Sequence, residues 1–226
     1  MLKQFRQSSQ ESGPVFILGL GRFGRALGAE LIAGGVEVLG VDADSKIVQE
    51  VCATFDHVVT ADTTNPEVLR QLGIEESSRV VIAIGRKIEN SLLTASAVVD
   101  MNVASVWAKA DNDAHAKILR QIGVHHVIRP EADSGRRVAH LMGGRLQDYL
   151  EFDRDFAVAK IAPPVSVLDR TVEDIHTRTK GKIQILALRD PDGCFHRAEN
   201  GDVVRPGSLI IVAGRVSTIE DFAGQS

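Results

Sequence analysis

The segment Gly19-Leu-Gly21-Arg-Phe-Gly24 has the residue types and the spacing of a phosphate-binding turn. It follows the apolar run Val15–Leu18 and opens an amphipathic stretch that begins at Arg22. In a strand–turn–helix unit the first glycine allows the tight turn. The second lets a phosphate reach the backbone, and the third lets the helix pack closely on the sheet. The helix N-terminus then offers unpaired N–H groups and the positive end of its dipole. Asp42 closes the second apolar run, 18 residues after Gly24. A carboxylate there accepts hydrogen bonds from ribose hydroxyls and repels a 2′-phosphate, which disfavours NADP. The same residues also fit a fold of this type whose site is no longer used.

Arg22 and Phe23 fill the turn between the second and third glycines. A dinucleotide pyrophosphate needs no side chain at that point. A guanidinium suits a more anionic end, such as a β- or γ-phosphate, on the same or a neighbouring subunit; a solvated surface arginine is the alternative. Thr60-Ala61-Asp62-Thr63 follows the third apolar run, where doubly wound folds place their ligands. Backbone groups of Ala61 and Asp62 are candidates to border an adenine, and Asp62 and Thr63 could instead cap the next helix. Gly85 ends the fourth run, Lys109 the fifth, and Glu131 follows the sixth. Lys109 and Glu131 either form an ion pair or flank a polyphosphate. In the second case a Mg²⁺-like cation must stand between carboxylate and phosphate, since the two repel. His125-His126 has no acid or cysteine at metal spacing, and Cys52 and Cys194 form no pair motif.

These residues must be positioned by the elements around them. Apolar runs at 15–19, 36–41, 57–60, 80–84, 105–109 and 126–129 alternate with amphipathic stretches of helical length. Near-continuous apolar strands separated by helices indicate a parallel sheet covered on both faces, a Rossmann-like α/β domain over residues 14–133. Residues 1–13 read as a flexible tail and 134–152 as a linker or crossover helix. Residues 153–226 read as a small α+β domain with strands at 156–161, 183–189 and 208–213, and turns at Asp190-Pro-Asp-Gly193 and Arg205-Pro-Gly207. Val138, Leu141, Met142, Leu146, Tyr149 and Leu150 mark an apolar face at helical spacing, interrupted by Gly143-Gly144. The two glycines predict a hinge or a break.

Composition narrows the function. The 226 residues are 44% hydrophobic, 25% charged and only 4% aromatic, with a net charge of −4 shared equally by residues 1–150 and 151–226. There is no basic footprint for nucleic acid and no stacking platform for single strands. Two distant cysteines suit a reducing, cytoplasmic setting. No apolar stretch approaches the ~20 residues of a membrane-spanning helix. One nucleotide-binding unit plus about 75 residues leaves too little chain for a separate catalytic domain.

Taken together, the glycine turn, Val41-Asp42, Val81-Ile-Ala-Ile-Gly85, Val106-Trp-Ala-Lys109, Ile122-Gly-Val124 and Arg129-Pro-Glu131-Ala-Asp133 resemble the RCK (regulator of K⁺ conductance) family. The resemblance is specifically to its KtrA/TrkA-like members, regulatory subunits of bacterial potassium uptake systems, over about residues 14–223. It implies a nonenzymatic subunit, peripheral on the inner face of the membrane. Such subunits are dimers assembled into an octameric ring on an integral-membrane, KtrB/TrkH-like K⁺-translocating partner. It also implies that ATP and ADP favour different ring shapes, that NAD(H) binds in TrkA-like members, and that cyclic di-AMP binds the C-terminal domain of some relatives. Carried onto this chain, Arg22 meets a terminal phosphate across a dimer, Asp42 the ribose, Lys109 the nucleotide, and Glu131 a Mg²⁺, Ca²⁺ or Na⁺ ion beside the phosphate. The residue two places after the ribose acid is often Asn in such subunits and is Asp44 here, an added charge that bears on nucleotide preference. The competing reading is an NAD-dependent oxidoreductase, which the glycine turn allows and the lack of an acid/base pair opposes.

Overall fold

A computed structural model describes residues 13–85, 87–142, 146–153, 155–191 and 193–224. Six strands and five intervening helices form the first layer system. In chain order they are β1 (Val15–Leu18), α1 (Arg22–Ala33), β2 (Val38–Asp42), α2 (Ser45–Val51), β3 (His57–Thr60), α3 (Pro66–Gln71), β4 (Arg79–Ile82), α4 (Ile88–Asp100), β5 (Ser105–Lys109), α5 (Asp113–Ile122) and β6 (His126–Ile128). All strand pairs are parallel, in the order β3-β2-β1-β4-β5-β6. The order reverses between β1 and β4, and a ligand in such a sheet sits outside the carboxyl ends at that switch.

The apolar runs explain the layering. All four residues of β1 are buried, because the strand is covered on both faces. Phe16 and Leu18 pack with Val80, Ile82, Val106, Val98 and Leu119, while Val15 and Ile17 pack with Val38, Val51 and Phe55. Helix ends follow local chemistry. Asn65 accepts from the Glu67 N–H at the start of α3, and Asn112 accepts from the His115 N–H at the start of α5. Gly123, at φ +105°, ends α5 in the left-handed conformation that glycine adopts without strain.

The chain divides into two compact units after Glu131. That boundary falls inside α6 (Pro130–Met142), none of whose residues is buried. The second unit contains β7 (Asp148–Asp153), β8 (Phe156–Ile161), β9 (Arg170–Thr171), α7 (Val172–Arg178), β10 (Ile183–Arg189), β11 (Phe195–Arg197), β12 (Val203–Val204), β13 (Leu209–Gly214) and α8 (Val216–Ala223). Five strands make an antiparallel sheet in the order β11-β10-β13-β8-β7, and β12 pairs with β9. Ala159, Ile161, Ile185, Ile210 and Val212 pack beneath Ile175 of α7 and Ile219 and Phe222 of α8. The turn at 205–207 is present, with Gly207 at φ +83°. No helix among the described residues is long and apolar enough to cross a membrane.

One expectation is corrected. The apolar face expected to continue as a helix through Tyr149 stops at Met142, and residues 148–153 are a strand on β8. Leu146 and Tyr149 belong to the core of the second unit, whereas Leu150 is exposed. Strand pairing with β8 satisfies the backbone of this aromatic-rich stretch, and two glycines upstream each cost about 1 kcal/mol in a helix interior. The expected hinge at Gly143-Gly144 and all but Gly13 of the expected tail over residues 1–13 lie outside the described residues.

Candidate functional site

The glycine turn is held by close backbone packing. Gly19 sits at φ +103°, and a Cβ there would lie 3.0–3.1 Å from backbone atoms of Ala83 and Ile84. A Cβ on Gly24 would lie 2.0 Å from the Gly19 carbonyl oxygen. Gly21 is different: it caps α1 without a side-chain bond, and a Cβ there would meet nothing within 4 Å. The space over the N-terminus of α1 is therefore open, and the first-turn N–H groups of a helix have no partner within it.

Asp42 and Arg25 fix Leu20, at the apex of the turn, through its N–H and its carbonyl respectively. Asp42 Oδ2 accepts from the Leu20 N–H at 2.7 Å, and Oδ1 accepts from the Asp44 N–H at 2.9 Å. Arg25 Nε donates to the Leu20 carbonyl at 2.8 Å, and its Nη2 reaches Glu50 at 2.7 Å. Asp42 thus shapes the turn while its remaining lone pairs stay available to a ribose. Asp42→Asn keeps the volume but offers only one acceptor oxygen. It should cost about 1.5–3 kcal/mol, the loss of one bond to a charged group. Thermal melts check this; an unchanged melt would mean that Asp42 is not the clamp.

At the neighbouring strand ends, Asp44 caps α2 by accepting from the Lys46 N–H at 2.9 Å. The Ala61 N–H is engaged with the Asp42 carbonyl at 3.0 Å, so that group is not offered to a ligand. Asp62 folds back on Thr64, accepting from its N–H and hydroxyl, and these bonds hold the carboxyl below its ordinary value. The Thr63 hydroxyl is buried against that of Thr94 at 3.1 Å. Neither Asp62 nor Thr63 caps α3, since Asn65 fills that role.

The side chain of Lys109 is only 12% exposed. Its Nζ lies 2.6 Å from Glu131 Oε1 and 3.7 Å from Asp111 Oδ1. The hydrogen bond from Lys109 is the main reason the Glu131 carboxyl titrates below its ordinary value, with the charge of Arg22 adding in the same sense. Gly85 lies under this pair, and a Cβ there would come to 3.3 Å from both Lys109 Nζ and Asp111. Arg22 is exposed and forms no hydrogen bond or ion pair with the described residues.

A cavity of about 890 Å³ joins these groups along the carboxyl ends of β1, β2, β4 and β5. Of the expected site residues, Gly19, Gly21, Arg22, Phe23, Asp42, Asp44, Asp62, Thr63, Gly85, Lys109 and Glu131 line it, and Gly24 and Ala61 do not. Arg25, Lys87 and Asn90 also line it and were missed in the sequence. Arg25 had a usable signal, one helical turn past Arg22 on the same face. Among the described residues, four cations (Arg22, Arg25, Lys87, Lys109) meet four anions (Asp42, Asp44, Asp62, Glu131) in the lining. No three His, Cys, Asp or Glu side chains among the described residues converge as a metal cage. Glu131 alone fits a cation only in company with phosphate oxygens, the mode in which Mg²⁺ commonly binds.

Residues 15–130 match the TrkA-N domain family. The chain is 32% identical over 207 residues to the Ktr system potassium uptake protein C of Bacillus subtilis, covering 91% of this chain and 94% of that one. It is 29% identical over 211 residues to the Ktr system potassium uptake protein A of the same organism, covering 92% and 95%. Among solved structures, the GsuK RCK domain superposes over 95% of this chain and 48% of its own, with a TM-score of 0.63 at 17% identity.

Proposed function

The chain belongs to the TrkA-N domain family, and on that premise we propose that it is a nucleotide-sensing regulatory subunit of a potassium uptake system. It acts without catalysis, docked on an integral-membrane K⁺-translocating partner at the inner face of the membrane, as a ring built from dimers. The observation that carries the nucleotide reading is the cavity at the switch point of the sheet, which opens onto the N-terminus of α1 and holds Arg22 and Lys109 at one end. Its volume falls in the range of small-molecule sites. The two Ktr relatives, matched over nearly their full length, support the transport role.

ATP or ADP fits the cavity, with Arg22 and Lys109 in its lining to meet the phosphates. Asp42 is placed to receive the ribose, the α1 N-terminus the inner phosphates, and Lys109 and Arg22 the outer ones. Among the described residues the lining carries equal numbers of acids and bases, so a triphosphate brings charge that those side chains do not offset. A Mg²⁺, Ca²⁺ or Na⁺ ion held by the phosphates and Glu131 supplies the missing positive charge. ADP carries one phosphate fewer and holds that ion less firmly. A ligand shifts a two-state ring only by its difference in affinity for the two shapes, and the terminal phosphate is the part that can supply one.

Arg22→Ala tests this reading by calorimetry with ATP, ADP and NADH on the full chain. ATP affinity should fall about tenfold or more, as for loss of one charged hydrogen bond, while ADP affinity changes less. Equal losses for the two would remove the terminal phosphate from the mechanism. NADH binding tighter than ATP would make this a dinucleotide sensor. Turnover of NADH with simple carbonyl substrates would revive the oxidoreductase reading.

A further inference from the structure

The end of the cavity beside β2 is lined by Asp42, Ala43, Asp44, Ser45 and Ile47 from the β2–α2 corner and by Arg25 from α1. Among these six residues one cation stands against two carboxylates. Asp42 is held by two backbone N–H groups, and Asp44 by that of Lys46. In folds of this type an acid at this point receives the ribose 2′-hydroxyl, whereas an arginine nearby accommodates a 2′-phosphate. This chain carries both, so the acid alone does not decide which ribose the site accepts. The arginine, however, is engaged elsewhere. Its Nε donates to the Leu20 carbonyl at 2.8 Å and its Nη2 to Glu50 Oε2 at 2.7 Å. Glu50 lies on α2 and outside the cavity lining. The Arg25 and Glu50 side chains are 35% and 61% exposed, and an ion pair so open to water adds little to folding. Its effect is to be sought in binding.

We infer that Glu50 is a positioning residue that sets the specificity of the proposed nucleotide site: by holding Arg25 it confines the site to nucleotides whose ribose 2′-hydroxyl is free. The inference rests on the nucleotide reading above and names the ligand class within it. A 2′-hydroxyl donates to Asp42 and needs no cation. A 2′-phosphate meets the charges of Asp42 and Asp44, and the guanidinium that would offset them already carries a carboxylate at contact distance. ATP, ADP and NADH have the free hydroxyl, and NADPH does not. Without Glu50 the same arginine has a donor edge and an uncompensated charge to offer.

Calorimetry on the full chain compares ADP with 2′-phospho-ADP, which differ only at the 2′ position. The readout is the ratio of the two dissociation constants. A purely structural change leaves that ratio alone, because the ligands share every other contact. In the parent, 2′-phospho-ADP should bind at least about tenfold more weakly than ADP, the sense expected for like charges brought together. Glu50→Gln keeps the shape of the side chain and removes its charge. The ratio should then fall about tenfold, the lower end for one charge-assisted hydrogen bond. Adding Arg25→Met to Glu50→Gln should restore the parent ratio. A ratio unmoved by Glu50→Gln, or a parent that binds the two ligands equally, would overturn the inference. So would a ratio that stays low in the double variant, since the gain would then owe nothing to Arg25. A parent that binds neither ATP nor ADP would remove the nucleotide reading itself, and this inference with it.

Discussion

Gly24→Ala should abolish measurable nucleotide binding and lower stability by about 3 kcal/mol, the upper end for forcing extra volume into a packed region. The added methyl would stand 2.0 Å from the Gly19 carbonyl oxygen and 3.3 Å from Ala83 Cβ. The first of these is backbone, so no rotamer change relieves it, and α1 must back away from β1. That displaces the helix N-terminus proposed to face the phosphates. Two neighbouring glycines separate stability from binding. Gly28→Ala would bring a methyl to 2.2 Å from the Phe55 ring, a side chain that can give way, so stability falls while the turn keeps its shape. Gly21→Ala meets nothing within 4 Å and should leave the melt within about 0.5 kcal/mol of the parent. It should nonetheless weaken ATP at least tenfold if phosphate lies against that Cα. Urea melts and calorimetry on the three variants give the pattern; full binding by Gly24→Ala would place the nucleotide elsewhere.

The first sheet was legible because its strands are buried on both faces and therefore read as unbroken apolar runs. Strand order then brought Lys109, at the end of β5, beside Glu131, just past β6, and one of the two readings for that pair, the ion pair, is what forms at 2.6 Å. The second unit was harder. Val138, Leu141, Met142, Leu146, Tyr149 and Leu150 satisfy a helical period, yet the last two lie on a strand, because pairing with β8 outweighs local periodicity. Strands β9 and β12 are two residues each, too short to show any period. Within the site, what escaped the sequence are particular side-chain contacts: the Thr63–Thr94 hydroxyl pair and the two-sided clamp on Leu20 by Asp42 and Arg25. Each involves ordinary residue types whose partner only the fold identifies.

Lys109→Met should leave the protein nearly as stable as before and cost about 30- to 150-fold in ATP affinity. The two effects separate because of where the charge sits. Methionine keeps the apolar stem at the end of β5, and the closest partner of the lost ammonium is in water: the Glu131 side chain is 65% exposed. Exposed partners make an ion pair worth at most about 1 kcal/mol to folding. A phosphate gains more from the same ammonium, about 2–3 kcal/mol for a charge-assisted bond, and each 1.4 kcal/mol is a factor of ten. Titration of Glu131 checks the pair itself. Because Lys109 pulls that carboxyl below its ordinary 4.5, the small stabilisation from the pair is complete above that value and is lost only as pH falls through the lowered one. In Lys109→Met the carboxyl should move back up, a change visible in its carbon NMR shift between pH 3 and 6 (roughly the span over which a carboxyl titrates). An unmoved Glu131 would mean that the pair does not form in solution. An unmoved ATP affinity, with Glu131 shifted, would mean that Lys109 only braces the strand ends and that Arg22 with the α1 N-terminus holds the phosphates.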